Sequence, residues 1–153
     1  MISHLRGTLL EKNPNQIVID VHGVGYEVAI PVSAYSSLPD QGSPVSLHIY
    51  QHVREDILAL YGFITIDDKT LFEKLIAVSG IGPRLAITAL SGLTTEDLVA
   101  AIRSGAVEQL VRIPGVGKKT AERMVLELRD KLGPIIASQT GAGAPKGAFS
   151  TSE

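Results

Sequence analysis

Two stretches of this sequence are near copies of each other: LIAVSGIGPRLAITAL, residues 75–90, and LVRIPGVGKKTAERMV, residues 110–125. At a constant offset of 35 residues, Leu75 matches Leu110, Val78 matches Ile113, Gly80 matches Gly115, Gly82 matches Gly117 and Ala86 matches Ala121. Each copy reads as a helix, a tight glycine–hydrophobe–glycine turn and a second helix. Lacking a Cβ, the glycines permit unusual dihedrals and let another backbone come close. Such a turn delivers a fresh helix N-terminus, whose unpaired amides and positive dipole end favour an anion. Pro83 and Lys118 open the second helices, a position that suits proline. Ile81 and Val116, between the glycines, are expected to tuck inward and pin the turns. Arg84, Lys118, Lys119 and Arg123 place positive charge beside the amides. One such turn is equally well a packing device between two helices. Two in matched register, one of them carrying Gly-Lys-Lys, favour phosphate binding, with Gly80, Gly82, Gly115 and Gly117 supplying the backbone. Contacts of that kind position a protein on a nucleic-acid backbone without reading base sequence.

The net charge of −2 over 153 residues looks wrong for such a partner, but it averages unlike parts. Residues 1–63 hold Arg6, Lys12 and Arg54 against six acids, a net −3, whereas residues 64–133 come to +1. Within the latter, residues 112–131 carry Arg112, Lys118, Lys119, Arg123, Arg129 and Lys131 against Glu122, Glu127 and Asp130, a net +3. Local patches rather than whole-chain charge decide phosphate affinity. The absence of cysteine removes disulfides, thiolate zinc sites, iron–sulfur clusters and cysteine nucleophiles together, and it fits a reducing, cytoplasmic setting. No apolar run approaches the roughly 20 residues needed to span a bilayer, and the start MISHLRGTLLEKNPNQ lacks the apolar core of an export signal.

Residues 1–63 read as β structure. QIVIDVHGVGYEVAIP places β-branched residues on either side of a turn-like HGVG, which predicts a hairpin. PVSLHIYQHV alternates, with Val45, Leu47, Ile49 and Gln51 on one face and Ser46, His48, Tyr50 and His52 on the other. Turn signals at 12–15, 22–25 and 39–44 favour a small barrel or sandwich. From residue 64 the pattern is helical. Thr65 with Asp68, and Thr94 with Asp97, resemble capping boxes. Gly105 is placed to close the helix after Thr94, and Gly133-Pro134 to stop the last one. Residues 135–153 are small, polar and glycine-rich, the composition of a flexible linker or tail, and a linker implies a further piece downstream. The expected fold class is therefore multidomain α+β: a barrel over 1–63, then an all-α domain with two helix–turn–helix repeats over 64–134.

Glu55 and Asp56 stand side by side in QHVREDILALYGF, an otherwise apolar run. On a regular strand adjacent side chains point to opposite faces, so the pair acts together only where the backbone turns. Taken alone, the acids read as a solvated loop tip, with Arg54 beside them as a simple ion-pair partner of little energetic weight.

The repeated pair resembles the helix-hairpin-helix motif. Together with MISHLRGTL, DVHGVGYEV, REDILALYGF, LIAVSGIGPRLA and IPGVGKKTAERMVLELRDKL, in that order over residues 1–135, it resembles the RuvA family of Holliday-junction-binding proteins. The resemblance implies an OB-like barrel, a middle domain with two helix-hairpin-helix motifs, and assembly as a homotetramer on a four-way DNA junction. It implies a third domain beyond the linker that recruits a RuvB-type ATPase motor, and a RuvC-type resolvase as a further partner. On that reading DNA binding and tetramer formation lie within these residues, and the motor-recruiting domain lies past them. It also gives the acids a role. Glu55 and Asp56 become an acidic pin aimed at the junction centre, repelling phosphates while the hairpins hold the arms from outside. Arg54 becomes a counter-contact to DNA or to a neighbouring acid.

Other chemistry finds little support. His4, His22, His48 and His52 lack metal-ligand spacing; His48 and His52 are four apart, but on a predicted strand. The glycines of HGVGYE lie between strands and lack the third glycine of a dinucleotide fingerprint, and GVGKKT is too short for a P-loop. No metal, cofactor or catalytic residue is expected. IPGVGKKTA also resembles the hairpin of the helix-hairpin-helix DNA glycosylases, in which a lysine at the place of Lys119 is the nucleophile. That family needs an aspartate beyond the second helix, whereas Asp130 falls inside the predicted helix here, and the β-rich first half and missing cysteines also depart from it. A third reading uses the hairpins only for protein packing, and predicts no DNA affinity even at low salt.

Overall fold

Alternating hydrophobicity builds the first half. Val45, Leu47 and Ile49 of one strand are buried while Ser46, His48 and Tyr50 turn outward, the period of two that a half-buried strand requires. The structure is a computed structural model and describes residues 1–133 and 135. Strands β1 (His4–Asn13), β2 (Gln16–Val21), β3 (Val24–Ala29), β4 (Pro44–Arg54) and β5 (Ile57–Phe63) close in the order β1-β2-β3-β5-β4. This is the expected OB-like barrel. Its only parallel contact, Ala29 with Tyr61, seals β3 to β5. Closure depends on Gly62: a Cβ there would come within 2.6 Å of Val28 Cγ1. Leu9, Ile17, Ile19, Val28, Ile30, Leu47 and Ile49 fill the interior. The expected HGVG break is narrower than the sequence implies. Only His22 (φ 53°) and Gly23 (φ 90°) form the turn, a two-residue connection whose positive dihedrals match strand twist, and Val24 and Gly25 are already in β3. A one-turn helix, α1 (Val32–Tyr35), follows β3; four residues show no period, so the sequence pattern conceals it.

The second half folds as α2 (Ile66–Ile76), α3 (Pro83–Gly92), α4 (Thr95–Ser104), α5 (Val107–Val111) and α6 (Lys118–Leu128). Both expected caps form. Thr65 Oγ1 accepts the Asp68 N–H at 3.1 Å, and Thr94 Oγ1 accepts the Asp97 N–H at 3.0 Å, each contributing about 1 kcal/mol. Gly105, at φ 73°, closes α4 as expected. The last helix differs. It ends at Leu128, before Gly133-Pro134, because residues 129–131 turn away so that Leu132 and Ile135 can enter the helical core at 0% and 1% exposure. Ile135 thus belongs to the body, not to the tail expected from 135. The remainder of that tail lies outside the described residues.

Aromatic packing joins the halves. Phe72 of α2 is fully buried, with ring centroids 4.8 Å from Phe63, 5.3 Å from Tyr50 and 5.4 Å from Tyr61, all on β4 and β5. A second junction is polar: Ser33 Oγ donates to the Leu90 carbonyl at 2.8 Å and the Val32 N–H donates to Ser91 Oγ at 3.0 Å. Those bonds fasten α1 to α3 and so mount the first repeat on the barrel. Among the described residues no single helix is long and apolar enough to cross a membrane.

Candidate nucleic-acid interface

The two repeats adopt one backbone. Gly80 and Gly115 take φ of 94° and 92°, left-handed values that exclude most side chains. Gly82 and Gly117 serve as N-caps of α3 and α6, with φ/ψ of −99°/−180° and −89°/178°. The hydrogen bonds repeat as well. Ile81 N–H reaches Val78 O at 3.1 Å and Val116 N–H reaches Ile113 O at 3.0 Å; Ala86 N–H reaches Gly82 O at 3.0 Å and Ala121 N–H reaches Gly117 O at 2.9 Å. Ile81 and Val116 are 6% and 5% exposed. Their side chains pin the turns as expected, and their amides are spent on the turns too, so these residues can offer a ligand position but no donor.

The turns pack against each other reciprocally. A Cβ on Gly115 would lie 2.9 Å from Leu85 Cδ1 of α3, and a Cβ on Gly80 would lie 3.9 Å from Thr120 Oγ1 of α6. Leu85 and Thr120 are themselves equivalent under the 35-residue offset, so the hairpins are related by a local two-fold that sets the starts of α3 and α6 side by side. No Cβ at Gly82 or Gly117 would touch anything within 4 Å, and their dihedrals are ordinary. Nothing inside the chain requires glycine there; open space does, if something outside approaches.

The helix starts divide into two kinds. α2 and α4 carry threonine caps and acids in the first turn, Asp67 and Asp68 in one, Glu96 and Asp97 in the other. α3 and α6 begin at glycines, which have no side chain to lend, and neither has an acid in its first turn. The N–H groups of Arg84 and Leu85, and of Lys118, Lys119 and Thr120, precede the first intrahelical bond. Arg84, Lys118, Lys119 and Arg123 are exposed around them. Sequence reasoning missed Ser79 and Thr120, which border the first turn; placing Thr120 opposite Leu85 in the repeat was the available signal.

Glu55 and Asp56 are the entire connection between β4 and β5. Arg54 pairs with Ile57, so the backbone does turn at the acids, and both are exposed at the tip of a hairpin with seven cross-strand pairs. Arg54 has a partner within the chain, but not the expected acid: its Nε donates to His52 Nε2 at 3.1 Å. Arg54 and His52 are two apart on one face of the strand, whereas the acids lie beyond its end. Below them, His48 faces His4 across β1 at 5.8 Å between ring centroids. Burial, then the neighbouring charges of His4 and Lys69, hold the His48 imidazole below its ordinary 6.5. Among the described residues no cluster of three or more histidines, aspartates or glutamates is placed to hold a metal. Asp130 lies in the turn after α6, not inside the helix as expected, so its position no longer separates this chain from the glycosylases. The barrel does.

An OB-like barrel joined to tandem helix-hairpin-helix repeats defines a nucleic-acid-binding module of the backbone-gripping kind. The family model described as RuvA N terminal domain matches residues 1–62, and that described as SAM-like Helix-hairpin-helix tandem matches residues 72–130. A Holliday junction branch migration complex subunit RuvA from Solibacter usitatus is 62% identical over 144 residues, covering 94% of this chain and 73% of its own length. Proteins of the same name from Acidobacterium capsulatum and Geobacter sulfurreducens are 55% and 50% identical, covering 94% and 95% of this chain and 72% and 73% of their own lengths. The chain belongs to the RuvA family.

Proposed function

We propose that this protein binds four-way DNA junctions by their phosphate backbone, independently of base sequence, and holds them open and planar for branch migration in recombination and repair. One observation carries the reading. Of the four longer helices, the two that follow the glycine turns start open and acid-free, while the other two start capped and acidic. Membership of a family whose relatives are named as Holliday junction subunits supports the junction as the ligand. In this reading Gly80, Gly82, Gly115 and Gly117 let phosphates approach the amides, and Arg84, Lys118, Lys119 and Arg123 neutralise them. Glu55 and Asp56 oppose phosphates at the crossover. Residues 1–63 form the barrel with its pin and residues 64–134 the gripping domain. The working assembly is a homotetramer in the bacterial cytoplasm, without catalysis of its own. A RuvB-type ATPase supplies the motion and a RuvC-type enzyme resolves the product.

A salt-titrated competition between an immobile four-way junction and a linear duplex of matched length and sequence tests this. The expected result is a junction preference that persists as salt rises, because geometry adds to the counterion-release term that both DNAs share. Equal affinities falling together would leave a generic duplex binder and remove the pin's role.

A further inference from the structure

We infer that Arg123, carried on the second hairpin, serves the phosphate held by the first, so that the first anion site borrows a cation from the second hairpin. The inference deepens the proposed backbone grip and rests on it. Its geometry is direct. Arg123 Nη1 lies 3.5 Å from Ser79 Oγ, and a Cβ built on Gly80 would stand 3.8 Å from the same nitrogen. The guanidinium of α6 therefore sits over the turn that precedes α3. A contact of 3.5 Å is long for a hydrogen bond, so the group is placed there without being consumed.

The two copies of the motif explain why this crossing is needed. The second hairpin starts its helix with Lys118 and Lys119, which bring two charges and two free amides. The first starts with Pro83 and Arg84. Proline has no N–H, so the first site has one donor fewer at N1, and it has one cation where the other has two. Arg123, with Ser79 and Thr120 beside the same turn, supplies the missing donor and the missing charge. Nothing equivalent runs the other way. The position matching Arg123 is Thr88, whose hydroxyl bonds back to the Arg84 carbonyl at 3.1 Å, and the second turn meets the apolar Leu85 instead.

A double-mutant cycle on DNA binding tests the assignment, using Arg123→Gln with Gly82→Val, and Arg123→Gln with Gly117→Val. Arg123→Gln alone should weaken four-way-junction binding on the order of tenfold and flatten the salt slope by about 0.9 for each subunit engaged, the value of one phosphate contact. With Gly82→Val the losses should fall well short of multiplying, since both changes damage one contact; with Gly117→Val they should multiply. Strong coupling to Gly117→Val with none to Gly82→Val would return Arg123 to its own hairpin, and an unchanged affinity for Arg123→Gln would also overturn the inference. If Gly82→Val and Gly117→Val, both folded by thermal melting, leave binding intact, the phosphate reading itself fails. That result is separable from the others.

Discussion

Four glycines that look alike in the sequence do two different jobs. Gly80 and Gly115 are held at positive φ, so any side chain there strains the turn by about 1–3 kcal/mol. Gly115 has the added obstacle of Leu85 at 2.9 Å from a new Cβ. Gly82 and Gly117 carry no such constraint. Gly115→Val is therefore expected to lower the melting temperature by several degrees and to weaken DNA binding through misfolding of the turn. Gly117→Val should melt with the parent yet bind DNA at least tenfold less well. Parallel melting and binding curves decide it; equal melting losses in both variants would dissolve the distinction. The repeat marks all four positions alike, but only the backbone dihedrals separate the glycines held at positive φ from those with no constraint inside the chain. Arg54 shows the same limit. The two residues after it are acids, yet its hydrogen bond goes to His52, because alternation on a strand sets residues two apart on one face.

At the level of elements, α6 is built against its own stability. Lys118 and Lys119 put positive charge at the dipole's positive end, each unfavourable by about 0.3–1 kcal/mol. Lys119→Glu should therefore raise thermal stability slightly while lowering DNA affinity by tenfold or more. A variant that gains stability and keeps its affinity would show that the charge serves something other than phosphate. The β4–β5 hairpin has its own test. Changing Glu55 to Gln and Asp56 to Asn together should tighten binding to plain duplex and reduce the preference for junctions, measured by competition; weaker binding to every DNA would refute repulsion. The helices with caps were legible from Thr65 and Thr94, and the repeated turns from their glycines. The end of α6 was not, because burial of Leu132 and Ile135 is a tertiary demand that outweighs the local stop signal of Gly133-Pro134.

Across the whole molecule, stability should depend on pH through His48. Its folded pKa lies below 6.5, so the unfolded chain takes up the proton first as pH falls. The contribution is complete above about 6.5 and is lost as pH drops from there through the lower, folded value. Melting temperatures recorded from pH 7.5 to 5 should decline across that window, and His48→Gln should flatten the decline; an unaltered slope would assign it to other groups. The barrel and the helical half were both readable from hydrophobic period, but the way they join was not. Phe72 packs on Tyr50, Tyr61 and Phe63, and nothing in the local patterns pairs a helix residue with the outer face of two strands. The hairpin that grows from this same sheet is laddered up to Arg54 and Ile57, the residues flanking its acids. The backbone that carries the two acids is therefore tied into the ladder on both sides. If Glu55 and Asp56 meet phosphates as proposed, the charge would be presented from a fixed backbone, and the electrostatic work would fall mainly on the DNA rather than be relaxed within the protein.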